Sequence, residues 1–248
     1  MVNNVSLKRI AIMQPYFLPY VGYFQLIGAV DAFILYDNIE YTKKGWINRN
    51  RMLVNGNDVY FTLPLKSDSD FLDVSKRFLA SSFEVDKIKL IRKFSESYRK
   101  APFYEQGMTL INDIFSSDER NLFNFIFQSL KKVCSYLELN TQFRISSTLD
   151  IDHELRAEDK VIAICKHECA SVYINPVGGL NLYANERFFQ NGIELIFLKP
   201  LPFEYSQFNN NFISWLSIID VIMFNPKEKI TSYISSGYEF IKNNNNDI

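Results

Sequence analysis

The sequence predicts an α/β fold: a Rossmann-like, mostly parallel sheet with an inserted β-hairpin and a helical layer. Three observations carry that expectation. Short apolar runs at 8–13, 32–36, 171–175 and 193–198 alternate with helix-like segments, the pattern of βαβ units feeding a parallel sheet. Asn55-Gly56 lies between two alternating apolar runs, the strongest short-range hairpin signal. A middle stretch, about 83–138, carries apolar residues near helical spacing. No linker and no repeat of 20–50 residues is visible. One domain over about 1–240 accommodates the pattern, with the hairpin at about 50–65 and a tail at 241–248, ending NNNNDI, expected to be disordered.

In order along the chain, KRIAIM (8–13) reads as a buried strand. It ends in QPYFLPYVG, where Pro15 and Pro19 exclude both helix and central strand and leave a rigid loop. Gly22–Val30 reads as a short helix and Ala32–Tyr36 as a second strand ending at Asp37. Arg51–Val54 and Asp58–Leu63 form the hairpin arms, and Pro64 stops the second. Residues 66–82 read as loop with a short strand. Phe83–Lys100 is a helix with Phe83, Val85, Ile88, Ile91 and Phe94 as its apolar positions, stopped by Pro102. Tyr104–Phe115 is a second helix. Ser116 and Glu119 have the form of a capping box opening a long helix to about Leu137. A strand at Phe143–Ser146, a helix at Ala157–Glu168, a strand at Ser171–Asn175 and a helix near Asn185–Gln190 follow. A strand at Ile193–Leu198 and a helix at Phe212–Met223 complete the reading.

Composition narrows the chemistry. The 27 Lys+Arg against 28 Asp+Glu give a net charge of -1, which offers no nucleic-acid footprint. Five soft ligands exist in 248 residues: Cys134, Cys165, Cys169, His153 and His167. A structural zinc site would consume nearly all of them, and a triad hydrolase would have to place one of two histidines. Three cysteines without a secretory signal read as a protein of reducing cytoplasm. No run is long and apolar enough to span a membrane.

Four constellations gather residues able to carry chemistry. Cys165-Lys-His167-Glu-Cys169 gathers three soft ligands, but on a helix the histidine looks away from the cysteines, which leaves two buried thiols, a surface histidine and no metal site. Asp150 and Asp152 beside His153 resemble an acid–base pair, yet Asp152 reads more simply as a helix N-cap. Pro176-Val-Gly178-Gly179 joins a strand to a helix, the place where backbone amides can meet phosphate. The densest cluster is N-terminal. Gln14, Asp37, Asn38, Lys44, Trp46, Asn48, Arg49 and Asn50 follow the C-terminal ends of two adjacent strands, where parallel sheets place their sites. Tyr16, Tyr41 and Trp46 offer stacking faces, and the amides and Arg49 offer hydrogen bonds to hydroxyls or phosphate.

That block also carries a resemblance. IAIMQPYFLPYVGYFQLIGAVDAFILYDNIEYTKKGWINRNRMLV resembles the opening of the WbqC-like family: a strand, QPxFLPxxGYF, an Asp-bounded strand, then a basic segment leading into Trp-x-Asn-Arg. The segments KVIAICKHECASVYINPVGG and GIELIF, EYSQ and FISWLSIIDVIMFN are similar to later parts of the family. Many members carry histidine where this chain has Met13, and Ser-Gly where it has Asn175-Pro176. Chemistry here is therefore expected to run on carboxylate, amide and guanidinium groups.

The resemblance implies a bacterial cytoplasmic protein of O-antigen or other lipopolysaccharide and surface-glycan biosynthesis, in pathways where an amino-dideoxy sugar carries an N-acyl group. The expectation is an N-acyl or aminoacyl (for example glycyl) transferase acting on a nucleotide-linked sugar such as dTDP-4-amino-4,6-dideoxyglucose. In that reading Asp37 is the general base, Gln14 and Asn50 donate to the oxyanion, and Lys44 and Arg49 hold the diphosphate. Trp46 or Tyr41 stacks on base or sugar, with Tyr16, Asn48, Gly178 and Gly179 lining the substrate. No cofactor is tightly bound. The acyl donor is a thioester of a carrier protein or of coenzyme A, and ATP stays open although there is no P-loop. The alternatives are a non-catalytic module binding a sugar nucleotide or a carrier protein, and a nucleotidyltransferase-like enzyme.

Overall fold

The computed structural model describes residues 7–242. In chain order its elements are β1 (Arg9–Met13), α1 (Val21–Gly28), β2 (Ala32–Leu35), β3 (Arg49–Val54), β4 (Asn57–Thr62), α2 (Phe83–Tyr98), α3 (Tyr104–Phe115) and α4 (Leu122–Tyr136). Then come β5 (Gln142–Ile145), α5 (Ala157–His167), β6 (Val172–Pro176), α6 (Asn185–Gln190), β7 (Glu194–Pro200), α7 (Ile218–Phe224), α8 (Lys227–Ser236) and β8 (Tyr238–Ile241). The six-stranded sheet runs β5-β2-β1-β6-β7-β8, parallel except for β8.

Continuous apolar runs form these strands because both faces of the sheet are covered. Ala11, Phe33, Leu35, Val172 and Ile174 enter the core shared with α1 to α4, α7 and α8, while Ile10, Ile12, Ala32, Ile34 and Tyr173 enter the core beneath α5 and α6. From β1 the chain moves outward to β2, and from β6 it moves the other way to β7. The crevice between the C-terminal ends of β1 and β6 is thus the point where the winding reverses, the usual ligand position in such sheets.

The hairpin stands as a separate two-stranded sheet, β3 against β4, with Val54 paired to Asn57. Asn55 and Gly56 both have positive φ, 49° and 78°, as the tight mirror-image turn requires.

Several expectations change. Residues 66–82 contain a short 3₁₀ turn at Val74–Lys76 and single bridges such as Leu65 to Leu79, rather than a strand. On α2, Val85 and Ile88 are exposed while Phe83, Phe94 and Tyr98 are buried. At about 100° per residue, Phe83, Ile91, Phe94 and Tyr98 fall in one stripe about 80° wide, and Val85 and Ile88 lie across the helix. The capping box does not form. Asn121 caps α4, its side-chain oxygen accepting from the Asn124 amide at 3.1 Å. The Ser116 hydroxyl instead donates back to the Asp113 carbonyl at 2.7 Å. The helix expected from Phe212 begins at Ile218, where Ser217 accepts from the Ile219 amide.

Sequence pattern predicts neither α8 nor β8. The expected tail is ordered at its start, where Ile241 closes β8 and Lys242 pairs with Glu194 at 2.7 Å, and residues 243–248 lie outside the described residues. Among the described residues no helix is long and apolar enough to cross a membrane.

Candidate functional site

The loop after β1 is held in a conformation its residues would not adopt alone. Leu18 has φ 45°, a left-handed conformation that costs an L-residue roughly 1–2 kcal/mol. Its carbonyl accepts two hydrogen bonds, from the Asn50 amide and from the Ser217 hydroxyl, each at 2.8 Å. On either side, the Phe17 amide donates to the Ile47 carbonyl at 3.0 Å and the Ile218 amide donates to the Pro19 carbonyl at 2.8 Å. One carbonyl therefore ties the first loop to the hairpin and to the start of α7, segments far apart in sequence.

From Asn48 onward the WINRN segment alternates. Side chains of a strand point to opposite faces, so Asn48 and Asn50 are buried while Arg49 and Arg51 face outward. Asn48 accepts from the Tyr41 hydroxyl and donates to the Leu63 carbonyl, both at 2.8 Å. The Arg49 guanidinium lies 4.9 Å from the Tyr60 ring and 6.0 Å from Trp46, and its Nε donates to the Gly45 carbonyl at 3.0 Å. Trp46 stacks on Tyr60 with ring centroids 6.0 Å apart.

Beside this scaffold opens an aromatic cavity of 460 Å³, lined by Tyr20, the end of β7, residues 201–205, Phe212, residues 214–216 and Tyr233. A smaller recess of 190 Å³ shares Tyr20 and Trp215 with it and extends to Tyr16, Trp46, Asn50 and Arg51. The combined size suits a drug-sized or sugar-sized ligand. Trp215 is 58% exposed and meets Tyr20 edge-on at 5.3 Å. It too has positive φ, 62°. Arg51 holds it there: Nη2 donates to the Trp215 carbonyl at 3.2 Å while Nη1 pairs with Asp58 at 2.7 Å. Backbone strain kept in place beside an exposed indole is a mark of a functional site. Burial, with Tyr16 and Tyr233 nearby, pushes the Tyr20 phenol up to about 12, so it enters any chemistry as a neutral donor.

Behind the wall lies Asp220, fully buried. Its carboxylate accepts from the hydroxyls of Tyr98 (2.8 Å) and Tyr205 (2.7 Å) and from the Gln207 amide (2.8 Å). Burial pushes its pKa from 3.8 to about 6, and those three donors oppose the rise.

Of the residues expected in the site, Tyr16, Trp46 and Asn50 line the recess. Arg49 sits beside Trp46, and Lys44 is exposed on the same turn, its carbonyl accepting from Arg49. Gln14 leaves β1 with its carbonyl taken by the Tyr23 hydroxyl at 2.8 Å. Asp37 lies at the end of β2, 2% exposed, with one oxygen accepting from the Ser147 amide (2.9 Å) and the other from its hydroxyl (2.7 Å). Gly178 and Gly179 follow β6 in a 3₁₀ turn whose neighbours Leu180 and Tyr183 pack into the opposite core, and they do not line the cavity. Gly179 is nonetheless constrained, since a Cβ there would lie 2.0 Å from Asn175 Nδ2, whereas at Gly178 nothing lies within 4 Å.

The remaining constellations resolve locally. Asp152 forms a turn, accepting from the Glu154 amide at 2.9 Å, and Arg156 rather than Asp152 precedes α5. His153 shares hydrogen bonds with Asn38 (3.0 Å) and the Leu149 carbonyl (3.1 Å), not with Asp150 or Asp152. Buried Lys160 donates to the His153 carbonyl at 3.2 Å, and desolvation with Arg156 nearby pushes its pKa down. Cys165 is buried, but Cys169 is exposed just past α5 at φ 52°, not a second buried thiol. His167 accepts from the Asp150 amide at 3.3 Å. Among the described residues no group of three or more His, Cys, Asp or Glu side chains is placed to hold a metal ion.

Sequence pattern alone assigns no role to Tyr20, Arg51, Phe203, Glu204, Tyr205 or Trp215. A signal existed. Residues 201–217 form a long irregular connection rich in aromatics, and connections of that length without regular structure are usually functional.

Comparison with known proteins covers nearly the whole chain. The chain is 25% identical over 235 residues to "Uncharacterized protein Rv1507c" of Mycobacterium tuberculosis (strain ATCC 25618 / H37Rv), an alignment covering 92% of this chain and 98% of that protein. No solved structure matches. The model of the WbqC-like protein family matches residues 14–232, from the first residue after β1 into α8, and the chain belongs to that family.

Proposed function

We propose that the chain is an N-acyl or aminoacyl transferase whose acceptor is a nucleotide-linked amino-dideoxy sugar, used in building a surface glycan such as O-antigen. The observation that carries the reading is the aromatic cavity with its recess, open at the end of β7 and at the loop after β1. Ring faces of Tyr20 and Trp215 offer platforms for the apolar face of a sugar ring. The recess leads from there past Tyr16 to Trp46, with Arg49 and Lys44 alongside, a path suited to a diphosphate and a stacked base. The donor in this reading is an acyl or glycyl thioester of coenzyme A or a carrier protein. Asp37 lines neither the cavity nor the recess, so it would act as base only if Ser147 turned away from its carboxylate and the acceptor amine reached past the recess.

Incubation with dTDP-4-amino-4,6-dideoxyglucose and a panel of acyl and glycyl thioesters is expected to yield an amide product detectable by mass spectrometry. No product from any donor, together with no sugar-nucleotide binding by calorimetry, removes the reading.

A second reading, a non-catalytic sugar-nucleotide or carrier-binding module, is favoured by one observation. Asp37 and Asn50, two of the residues expected to be catalytic, spend their side chains on Ser147 and on the Leu18 carbonyl. Binding without turnover against every donor selects it.

A further inference from the structure

The charges around the cavity and its recess are unequal in a way that names a ligand. Three charged side chains line them: Lys199, Glu204 and Arg51. Lys199 pairs with Glu239 at 2.7 Å. Arg51 pairs with Asp58 at 2.7 Å and spends its other arm on the Trp215 carbonyl. Both cations are therefore neutralised outside the cavity. Glu204 is exposed and has no ion-pair partner among the described residues. Among the charged side chains that line the cavity and recess its carboxylate is the one without an ion-pair partner, while the cations Arg49 near Trp46 and Lys229 near Phe203 lie outside that lining.

The walls reinforce that sign. Phe203 packs against Tyr205 at 5.5 Å and stacks on Tyr233 at 4.0 Å, Tyr205 meets Phe212 at 5.1 Å, and Tyr20 meets Trp215 at 5.3 Å. Aromatic faces carry negative quadrupole charge and attract a cation; Phe203 already engages Tyr233 and, at 5.4 Å, the Lys229 ammonium, so Tyr20, Tyr205 and Trp215 are the rings left to a ligand cation. Asp220 lies directly behind Tyr205, accepting its hydroxyl at 2.7 Å, and adds field of the same sign when ionised.

We propose that the 460 Å³ cavity selects a protonated amine carried on a saturated ring, held against the aromatic faces and anchored by Glu204. This rests on reading the cavity as the acceptor site and deepens it, because it makes the amine, rather than the sugar hydroxyls or the nucleotide, the recognised group. Glu204 is then a specificity-determining residue. A neutral hydroxyl at the same position loses both the ring-face attraction and the ion pair.

The test uses glycosides without nucleotide or acyl donor. Methyl 4-amino-4,6-dideoxyglucopyranoside and methyl 6-deoxyglucopyranoside are titrated against the intact protein, read by the fluorescence of its two tryptophans, Trp46 and Trp215, and by calorimetry. The amine is expected to bind at least about tenfold tighter, the scale of a desolvated cation–aromatic contact. Glu204→Gln is expected to bring the two ligands within about twofold of each other, and Trp215→Ala to weaken both. Circular dichroism confirms that each variant is folded. Equal affinities in the parent protein, a preference that survives in Glu204→Gln, or no binding of either glycoside at millimolar concentration overturns the proposal. Amine preference without acyl transfer keeps this site and removes the transferase reading. Transfer without amine preference does the reverse.

Discussion

Asp220 shows how one residue's burial reaches the solution behaviour of the chain. Its pKa rises from 3.8 to about 6 because desolvation outweighs three neutral donors. The sign follows from linkage: between those values the folded state binds more protons than the unfolded state, so stability falls as pH rises. The contribution is complete below about pH 3.8 and is lost as pH passes about 6, with a ceiling of about 3 kcal/mol. Asp220→Asn is expected to gain on the parent protein between pH 4.5 and pH 7, measured as the difference in urea midpoints at the two values. A constant difference would remove this role. At Trp215 the prediction concerns strain. Gly tolerates φ 62° and Ala does not, so Trp215→Gly is expected to be about 1 kcal/mol more stable than Trp215→Ala in thermal melts. Both variants lose ring-dependent ligand binding.

At the scale of elements, the hairpin is a frame as well as a lining of the recess. Asn50 buries its amide to hold the Leu18 carbonyl, so Asn50→Ala is expected to cost about 1–3 kcal/mol by leaving that carbonyl short of a donor. Ser217 still reaches the same oxygen, which keeps the loss toward the lower end. The loop after β6 offers a paired control. Gly179→Ala drives a Cβ into the Asn175 amide, while Gly178→Ala meets open space. Chemical denaturation should show a clear loss for the first and a change within about 0.5 kcal/mol for the second.

Across the whole molecule, one hydroxyl joins three layers. Tyr98 on α2 accepts from the Leu53 amide of the hairpin at 2.9 Å and donates to Asp220 on α7, which in turn accepts from Tyr205 in the cavity wall. Tyr98→Phe leaves a buried amide unpaired and removes one donor from a buried carboxylate. A loss of about 1–3 kcal/mol is expected. A double-mutant cycle of Tyr98→Phe with Tyr205→Phe should show a coupling of about 0.5 kcal/mol or more, since both hydroxyls serve one carboxylate. Additive losses would mean that the wall and the hairpin are independent.

The sequence by itself determined what depends on neighbours along the chain. The β1–α1–β2 unit, the Asn55-Gly56 turn and the bounds of α3 and α6 could be read because periodicity and turn chemistry are local. Where several signals competed locally, the reading slipped. Ser116 and Glu119 imitate a cap that Asn121 supplies, and Val85 and Ile88 imitate a buried face of α2. The polar α8 and the edge strand β8 left little periodic trace, since α8 buries Ile230 and Ile234 and little else. The candidate site divided in the same way. Tyr16 and Trp46 were visible in a dense polar and aromatic block, but their neighbours Tyr20, Glu204 and Trp215 were not. Only the tertiary structure decided which aromatic rings share a cavity. That depends on two hydrogen bonds to the Leu18 carbonyl from residues 32 and 199 positions away, and no local pattern records a contact between such distant segments.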